Sequence, residues 1–317
     1  MARKTDTDAN RLDEAARAGW LYYIAGNTQD EVAAKLGVSR QTAQRLVSLA
    51  VSERLIKVRL DHPIAHCLDL SKRLREEHAL RLCEVVPADP ASQSSTLGVA
   101  EAAAAELERH LASHHPIIVA LGTGRTLKAV VSQLPPMDCP QHRIVSLVGN
   151  IAPDGSASFY DIIMRIGDTV RAPHYPMPIP VIASTVHERE LLLAQKPVRN
   201  VVDLAQQADL TLVGIGQLGD QAPLLQDGFI NRDEMRGLLK AGAVGEIVGW
   251  AFDKDGAFIE GATNDRVASV RLQQPAERFV LGVAMGKAKR PAIEGALRGR
   301  LINGLITNET TAELLLK

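Results

Sequence analysis

The segment TQDEVAAKLGVSRQTAQRLVSLA, residues 28–50, determines how the N-terminal part of the chain folds. Thr28 and Glu31 have the spacing of a capping box, in which the hydroxyl caps a helix start and the carboxylate reaches back. Gly37 ends that helix, because glycine adopts the left-handed conformation without a steric penalty. Ser39 then caps a second helix. The segment therefore predicts two short helices joined by a tight turn.

The second predicted helix has one apolar and one polar face. Together with the small Ala33 and the turn at Gly37, this spacing is typical of a helix-turn-helix. A further helix, about Asp8 to Ala25, is expected to be the third packing partner. Its expected inward residues are Leu12, Ala15, Ala16, Trp20 and Ile24. The expected inward stripe of the second helix consists of Ala43, Leu46, Val47 and Ala50.

The polar face of the second helix carries side chains that suit double-stranded operator DNA. Arginine pairs bidentately with guanine and glutamine with adenine, while hydroxyl groups hold phosphates. Residues 1–60 contain ten Lys/Arg and seven Asp/Glu, a net charge of +3, whereas the whole chain has −1. The alternative is an ordinary helical hairpin with a solvated polar face. The predicted DNA-binding residues are Ser39, Arg40, Gln41, Thr42, Gln44 and Arg45.

The chain is expected to contain a helix-turn-helix domain at 1–60, a linker or dimerisation helix at 61–80 and a larger domain at 81–317. The segment 56–60 alternates apolar and basic residues, which indicates a short strand or wing. Its Lys57 and Arg59 either touch phosphate or form a solvated face, and the sequence favours neither interpretation.

Beyond residue 81, apolar runs alternate with helical segments, which predicts a parallel sheet covered by helices on both faces. Ligands bind such sheets at the carboxyl ends of the strands. The expected strands are Leu82–Val86, Ile117–Leu121, Ile144–Val148, Val181–Ala183, Leu210–Val213, Ile247–Phe252, Val267–Leu272, Val280–Val283 and Leu301–Ile306. The expected helices are Val99–Ser113, Thr126–Leu134, Phe159–Ile166, Val198–Gln207, Asp233–Lys240, Pro291–Leu297 and Thr310–Leu316.

Composition excludes several classes of protein. Three scattered cysteines without a CxxC motif argue against a disulfide framework or a zinc ribbon and fit a reducing cytosol. The N-terminus lacks a signal-peptide pattern and no apolar run has the roughly 18 residues of a membrane span, so we expect a cytoplasmic protein without a membrane partner. His110, His114 and His115 have metal-like spacing but no accompanying acid. We therefore predict no metal.

The loop Gly122-Thr-Gly-Arg-Thr126 lies directly between a predicted strand and a predicted helix. Its glycines permit close backbone approach, and its hydroxyls and the following amides can bind an anion or a polyol. The motif is not a P-loop, and a generic glycine turn is the alternative. Gly149 and Asn150 end the next strand and can offer an amide to a ligand.

The segment GIGQLG, residues 214–219, has the form of a dinucleotide-binding motif, but its context does not fit. Pro223 and Asp227-Gly228 interrupt any following helix, and no second strand ends in an acid about twenty residues on. We predict no cofactor, and Gly214 and Gly216 are expected to admit a smaller ligand. Glu246, Asp265, Lys287 and Lys289 also stand at the ends of elements. A lysine there binds phosphate, serves as a Schiff-base amine or is a solvated loop charge.

Over nearly its whole length the chain resembles the SorC family of bacterial sugar-responsive regulators. The resemblance implies a Rossmann-like effector domain with the fold of sugar-phosphate isomerases and deaminases, and homo-oligomers that are commonly tetramers. It implies an effector site at Thr123, Gly124, Arg125 and Thr126, closed by Gly214, Glu246, Asp265 and Lys289. The motifs that carry it are residues 28–50, GTGRT (122–126), GN (149–150), GIG (214–216), VGEIVGWAFDKDG (244–256), NDRV (264–267) and AMGKAKRPAIEGALRGRLINGLITNETTAELLL (284–316).

The sequence departs from the family pattern at three places. Glu246 stands where the family often has Asp, Met285-Gly286 where it usually has two glycines, and Asn308 where Asp is common. The first two bear on effector identity rather than fold. Within the family, the N-terminal sequence most resembles regulators of polyol operons.

Two functions are compatible with the sequence. The first is a transcriptional regulator whose operator affinity changes with a sugar, sugar phosphate or polyol; it has no catalytic residues and acts as a dimer or tetramer. The alternative is a sugar-phosphate isomerase or deaminase fused to a DNA-binding segment. Such an enzyme needs an acid/base pair across the sugar, for which Glu246 and Asp265 are available. No flanking pattern marks them as catalytic, so we favour the regulator.

Overall fold

The structure, a computed structural model, describes residues 2–53, 55–56, 64–89, 96–152, 154–156 and 162–317. The chain divides into two compact units, Met1–Pro63 and Ile64–Lys317. No helix among the described residues is both long and apolar enough to cross a bilayer. The predicted wing at 56–60 falls outside the described residues except for Ile56, which packs against the core of the N-terminal unit.

The N-terminal unit is helical and has the predicted caps. Helix α1 spans Ala2–Gly19 and continues as a π-helical turn over Trp20–Ile24; α2 spans Gln29–Leu36 and α3 spans Arg40–Ser52. The capping box is confirmed, since the Thr28 amide donates to Glu31 Oε2 at 2.7 Å and the Glu31 amide to Thr28 Oγ1 at 3.3 Å. Gly37 ends α2 with φ 67°.

The core of this unit is built mainly from small side chains, which lets the helices approach closely. A Cβ atom on Gly19 would lie only 2.8 Å from Cβ of Ala50, so α1 and α3 meet backbone to backbone there. The predicted inward stripe of α3 is confirmed. The buried residues are Ala15, Ala18, Val32, Ala33, Ala43, Leu46, Val47 and Ala50.

The prediction for the inward face of the first helix is partly wrong. Ala15 is buried, but Trp20 and Ile24 are 54% and 66% exposed and Leu12 is 37% exposed. The π-helical turn explains the exposure of Ile24, because a wider turn rotates the residues after its start away from the 3.6-residue stripe. Leu12 precedes this turn and Trp20 begins it, so their exposure is set by α1 itself. Leu21 and Tyr22 pack against the core instead.

The larger unit alternates helices with strands. Its strands are β1 Leu82–Val86, β2 Ile118–Leu121, β3 Arg143–Ile151, β4 His174–Pro180, β5 Leu210–Gly214, β6 Gly216–Gln217, β7 Ala243–Ile247, β8 Trp250–Asp253, β9 Phe279–Val283 and β10 Gly304–Asn308. Its helices are α4 Ala65–Glu77, α5 Leu97–Leu111, α6 Arg125–Gln133, α7 Ile163–Val170, α8 Val186–Ala194, α9 Lys196–Gln206, α10 Pro223–Gln226, α11 Arg232–Lys240, α12 Arg290–Arg298 and α13 Glu309–Leu315.

Seven of the strands form one sheet in the order β1-β10-β9-β5-β2-β3-β4, and every neighbouring pair is parallel. Strands such as β2 are buried along their whole length, as expected for a sheet with helices on both faces. Two large apolar clusters, one on each side, account for this burial. The predicted α/β class with a parallel sheet is confirmed.

Beside the sheet, β6, β7 and β8 form a three-stranded antiparallel sheet that packs with α10 and α11 around a separate apolar cluster. We call this part the small lobe. The single strand predicted at Ile247–Phe252 is wrong, because Val248 and Gly249 have φ of 50° and 88° and turn the chain between β7 and β8. Positive φ at both central residues is the geometry of a two-residue hairpin turn.

Two other predicted strands, Val181–Ala183 and Val267–Leu272, are also wrong. They run alongside each other outside the sheets, joined by a bridge between Ile182 and Val267. They are apolar because tertiary packing buries them, not because they belong to a sheet. The edge strand on the β3 side of the seven-stranded sheet is instead β4. The sequence pattern does not indicate this strand, because prolines are rare in strands.

Strand β4 contains three prolines, Pro176, Pro178 and Pro180. Pro173 O accepts a hydrogen bond from the Ile144 amide, so the odd-numbered residues direct their backbone groups toward β3. Beyond Tyr175 the pairing with β3 is irregular, with register shifts between Val145 and Gly149 and between Gly149 and Ile151. Because proline has no amide hydrogen, β4 offers no backbone donor at these three positions.

Candidate functional site

A cavity of about 500 Å³ opens at the carboxyl ends of β2, β5 and β9, which are neighbours in the sheet. From β2 the chain continues outward through β3 to β4, and β5 then begins the other half of the sheet on the opposite side of β2. The cavity thus lies at the topological switch point, where parallel sheets of this kind bind ligands. The small lobe forms its remaining wall.

The loop 122–126 enters the cavity as predicted from its position between strand and helix. Gly124 has φ 117° and precedes the first residue of α6, and no described side chain caps this helix start. The first amides of a helix favour an anion because they have no partner within the helix. Thr123, Arg125 and Thr126 line the cavity beside them.

A second loop repeats this geometry at the end of β9. Gly286 has φ 111° and precedes a short 3-10 turn, Lys287–Lys289, that runs into α12. The Gly286 amide donates a hydrogen bond of 2.8 Å to Thr311 Oγ1, which fixes the loop. Lys287 and Lys289 line the cavity together with Arg125. Two glycine-led helix starts and three basic side chains thus face the same space.

Glu246 lies in the wall contributed by the small lobe. Its Oε2 accepts a hydrogen bond of 2.7 Å from the Gly249 amide in the β7–β8 turn. Burial raises the pKa of Glu246, and the Gly249 amide and the charge of Lys289 only partly oppose this effect. Burial likewise lowers the pKa of Lys289, with Glu246 opposing and Arg125 reinforcing the shift. Both charged forms are poorly hydrated, so polar groups of a ligand would replace missing water.

Gly216 leaves the space that the side chain of Glu246 occupies. A Cβ atom on Gly216 would lie 1.9 Å from Oε1 of Glu246, so any larger residue would displace that carboxyl group. Gly214 has more room, since its Cβ would meet only Thr123 O at 3.6 Å. Sequence reasoning expected both glycines to admit the ligand directly, whereas Gly216 does so by making space for a cavity side chain.

The cavity brings together eight of the eleven predicted effector residues: Thr123, Gly124, Arg125, Thr126, Gly214, Gly216, Glu246 and Lys289. Gly149 and Asn150 line an adjoining small hollow that shares Thr123 and Val148 with the cavity. Asp265 does not line the cavity. It lies exposed in a 3-10 turn whose neighbour Asn264 is buried and bonds to both backbone groups of Ala251.

Several lining residues escaped sequence reasoning because they belong to the small lobe. Gln217 and Val248 lie within the motifs 214–219 and 244–256 but have no side-chain chemistry that singles them out, and no motif marks the others. The fold of the lobe around its own apolar cluster brings them to the cavity. They include Gln217, Gln221, Leu224, Asp227, Phe229 and Val248.

In the N-terminal unit, the polar face of α3 is exposed. Ser39 Oγ accepts from the Thr42 amide at 3.2 Å and so caps the helix, while Arg40 Nε lies 3.3 Å from an Asp30 carboxylate oxygen. The predicted DNA-binding residues Ser39, Arg40, Gln41, Thr42, Gln44 and Arg45 are all exposed.

Comparison with known proteins agrees with this two-part architecture. The family model of a sugar-binding domain matches residues 62–317. The erythritol catabolism regulatory protein EryD of Brucella abortus is 34% identical over 302 residues, covering 95% of this chain and 96% of that protein. The deoxyribonucleoside regulator of Bacillus subtilis is 29% identical, and the match covers 95% of this chain and 96% of that protein. The full-length sorbitol operon regulator SorC of Klebsiella pneumoniae superposes with a TM-score of 0.71 at 23% identity, covering 97% and 100%.

A helix-turn-helix followed by a sugar-binding domain defines a class of effector-controlled DNA-binding regulators. This chain belongs to the SorC family of sugar- and polyol-responsive transcriptional regulators.

Proposed function

We propose that this protein binds operator DNA through α3 and releases or engages it according to the occupancy of the cavity by a polyol or sugar derivative that carries an anionic group. The observation that carries this proposal is the meeting of two glycine-led helix starts and three basic side chains at the switch point. A relative named for erythritol catabolism and another named for the sorbitol operon favour a polyol.

The anionic group would lie against the 122–126 loop and the Lys287–Lys289 turn. Backbone amides, hydroxyls and basic side chains are the usual partners of a phosphate. The carboxyl group of Glu246 would then accept hydrogen bonds from hydroxyl groups of the same ligand. The cavity volume of about 500 Å³ accommodates a small phosphorylated polyol.

The DNA side of the proposal rests on the exposed polar face of α3. Gln41, Gln44 and Arg45 would reach base edges in the major groove, while Ser39 and Thr42 would approach phosphates. Operator half-sites one helical turn apart require two recognition helices, so we propose a homo-oligomer, a dimer or a tetramer. The effector must bind the two states of this assembly with different affinity, since equal affinity shifts nothing.

The test is a gel-shift titration of the purified protein on the promoter regions that flank its gene, without effector and with erythritol, erythritol 4-phosphate, sorbitol or sorbitol 6-phosphate. We expect one of these compounds to change the operator affinity at least tenfold. Thr123→Val and Arg125→Ala should retain operator binding but lose the response. Lys128→Ala is the matched control, because it removes a charge from the exposed side of the same helix.

An unchanged response in Arg125→Ala would contradict the anion site, and a response to free polyols alone would exclude the phosphate. Gln44→Ala should weaken operator binding and keep the effector-induced thermal shift. If Gln44→Ala gives the wild-type footprint, α3 is not the reading helix.

A second candidate function follows from Glu246 and Lys289, because an acid and a base in one cavity are what sugar-phosphate isomerisation requires. The relatives are named transcriptional regulators. Prolonged incubation with fructose 6-phosphate and glucosamine 6-phosphate, followed by product analysis, separates the two functions. We expect both compounds to be recovered unchanged, and turnover abolished in Glu246→Gln would establish the enzyme instead.

A further inference from the structure

We propose that Asp227 is a specificity-determining residue of the effector cavity: its carboxylate accepts hydrogen bonds from ligand hydroxyls and repels a second phosphate. The cavity would then select polyol or sugar monophosphates over bisphosphates. This inference rests on the proposed function, since it concerns the ligand of the same cavity.

The first observation is an unsatisfied carboxylate oxygen. Asp227 follows α10, and its backbone amide donates to Pro223 O at 2.9 Å, which fixes the backbone of the residue. Its side-chain oxygen Oδ2 is buried and has no hydrogen-bond partner among the described residues. A buried acceptor without a partner is destabilising, and proteins retain such groups where a ligand supplies the missing donor.

The second observation is the position of Asp227 relative to the basic groups. Asp227 lines the cavity from the small lobe, whereas Arg125, Lys287 and Lys289 line it from the loops that follow β2 and β9. Within the described part of the chain, no lysine, arginine or histidine nitrogen forms an ion pair with Asp227. The carboxylate is therefore not neutralised by the cations that would hold the anionic group of the ligand.

The chemistry of the two walls then differs. A phosphate held by the strand-end loops leaves the rest of the ligand to face the small lobe, where Asp227 stands with the amide side chains of Gln217 and Gln221. Hydroxyl groups donate to a carboxylate and to an amide oxygen. A second phosphate there would meet a like charge, which is a repulsive element of the kind that specific sites use against competitors.

The experiment is calorimetric titration of the full-length protein with erythritol 4-phosphate, sorbitol 6-phosphate, fructose 6-phosphate, fructose 1,6-bisphosphate and inorganic phosphate. We expect the wild type to bind at least one monophosphate ten times more tightly than the bisphosphate. Asp227→Asn should weaken that monophosphate at least tenfold, strengthen the bisphosphate and leave inorganic phosphate unchanged. Asp233→Asn, the same change at an exposed position of the small lobe, is the control.

Folding of the variant is checked by its melting temperature without ligand, which should equal or exceed that of the wild type because an unsatisfied charge is removed. Wild-type affinities in the Asp227→Asn variant, or a wild type that prefers the bisphosphate or binds none of the monophosphates while still binding inorganic phosphate, would overturn the inference alone. A wild type that binds neither phosphate nor any phosphorylated compound would overturn the proposed anion site as well.

Discussion

The two units keep their functional groups in opposite environments. In the N-terminal unit, a small core that is mostly alanine supports polar side chains that stand in water on α3. In the larger unit, two extensive apolar clusters surround a cavity whose charged groups, Glu246 and Lys289, are largely removed from water. The N-terminal unit therefore has a small free energy of unfolding, but its binding side chains are already hydrated and do not oppose folding. The second has ample core but a binding site that itself opposes folding.

The largest effect is expected from Leu46→Ala, which removes one of the few large side chains from the core of the N-terminal unit. Truncation of a buried leucine costs about 2–5 kcal/mol, a large share of the stability of so small a unit. Calorimetry should show its transition lowered or lost, while that of the larger unit is unchanged. Ser48→Ala, exposed on the same helix, is the control. Equal destabilisation of both units would show that they fold as one.

Arg45→Ala should weaken operator binding without changing either melting transition, because the side chain is exposed. Loss of one arginine contact to a guanine costs about 1–3 kcal/mol, or roughly five- to 150-fold in affinity. Fluorescence anisotropy on the operator measures the loss. Lys72→Ala removes the same charge from an exposed position of α4 and should leave the operator affinity nearly unchanged. Similar losses in both variants would indicate binding through overall charge.

The double variant Glu246→Gln with Lys289→Met should melt a few degrees higher than the wild type at neutral pH and lose the effector response. It removes both poorly hydrated charges while keeping the shape of the cavity. Glu76→Gln with Lys72→Met, an exposed pair 4.0 Å apart on α4, is the matched control. A double variant that melts lower than the wild type would show that the two charges stabilise the empty cavity.

The gain of this double variant should depend on pH. The pKa of Glu246 is raised above 4.5, so its charge costs stability only as the pH rises through the folded-state value. The pKa of Lys289 is lowered below 10.5, so its charge costs stability only as the pH falls through the folded-state value. The difference in melting temperature should therefore be greatest between the two folded-state pKa values and shrink toward both pH 4.5 and pH 10.5.

The smallest effect is expected from Thr28→Ala, which removes the hydroxyl that caps α2 and disrupts the box with Glu31. Loss of such a cap costs about 1 kcal/mol. The transition of the N-terminal unit should fall slightly and operator affinity should change little. Thr28→Ser retains the oxygen and should restore the melting temperature. If the serine variant melts as low as the alanine variant, the methyl group and not the cap is responsible.

The parts that could be predicted from sequence are those fixed by neighbouring residues. The capping box at Thr28 and Glu31 and the left-handed Gly37 depend on atoms within a few residues, so the pattern alone indicates the structure. The same holds for Gly124, since a glycine between an apolar strand and a helix places the loop at the end of a sheet. These residues are enough to predict the helix-turn-helix and the part of the cavity wall that the loop 122–126 forms.

The remaining parts depend on contacts between distant segments. Ile24 lies outside the core at the end of a widened turn, which no 3.6-residue pattern contains. The apolar residues of Val267–Leu272 are buried, but the segment forms no ladder with the sheet and is joined to β3 through the bond from the Val270 amide to Leu147 O. Asp227 reaches the cavity only because the small lobe folds around its own cluster. Side chains of this kind cannot be assigned until the tertiary structure is known.

Three prolines in β4 have a consequence for the behaviour of the protein at high concentration. An incoming strand from another molecule would find no backbone donor at Pro176, Pro178 or Pro180 and would lose the ladder bonds that such donors provide. Exposed sheet edges are the usual starting points of aggregation and domain exchange. The prolines make β4 a poor template for such pairing, so replacing them should increase the tendency to aggregate.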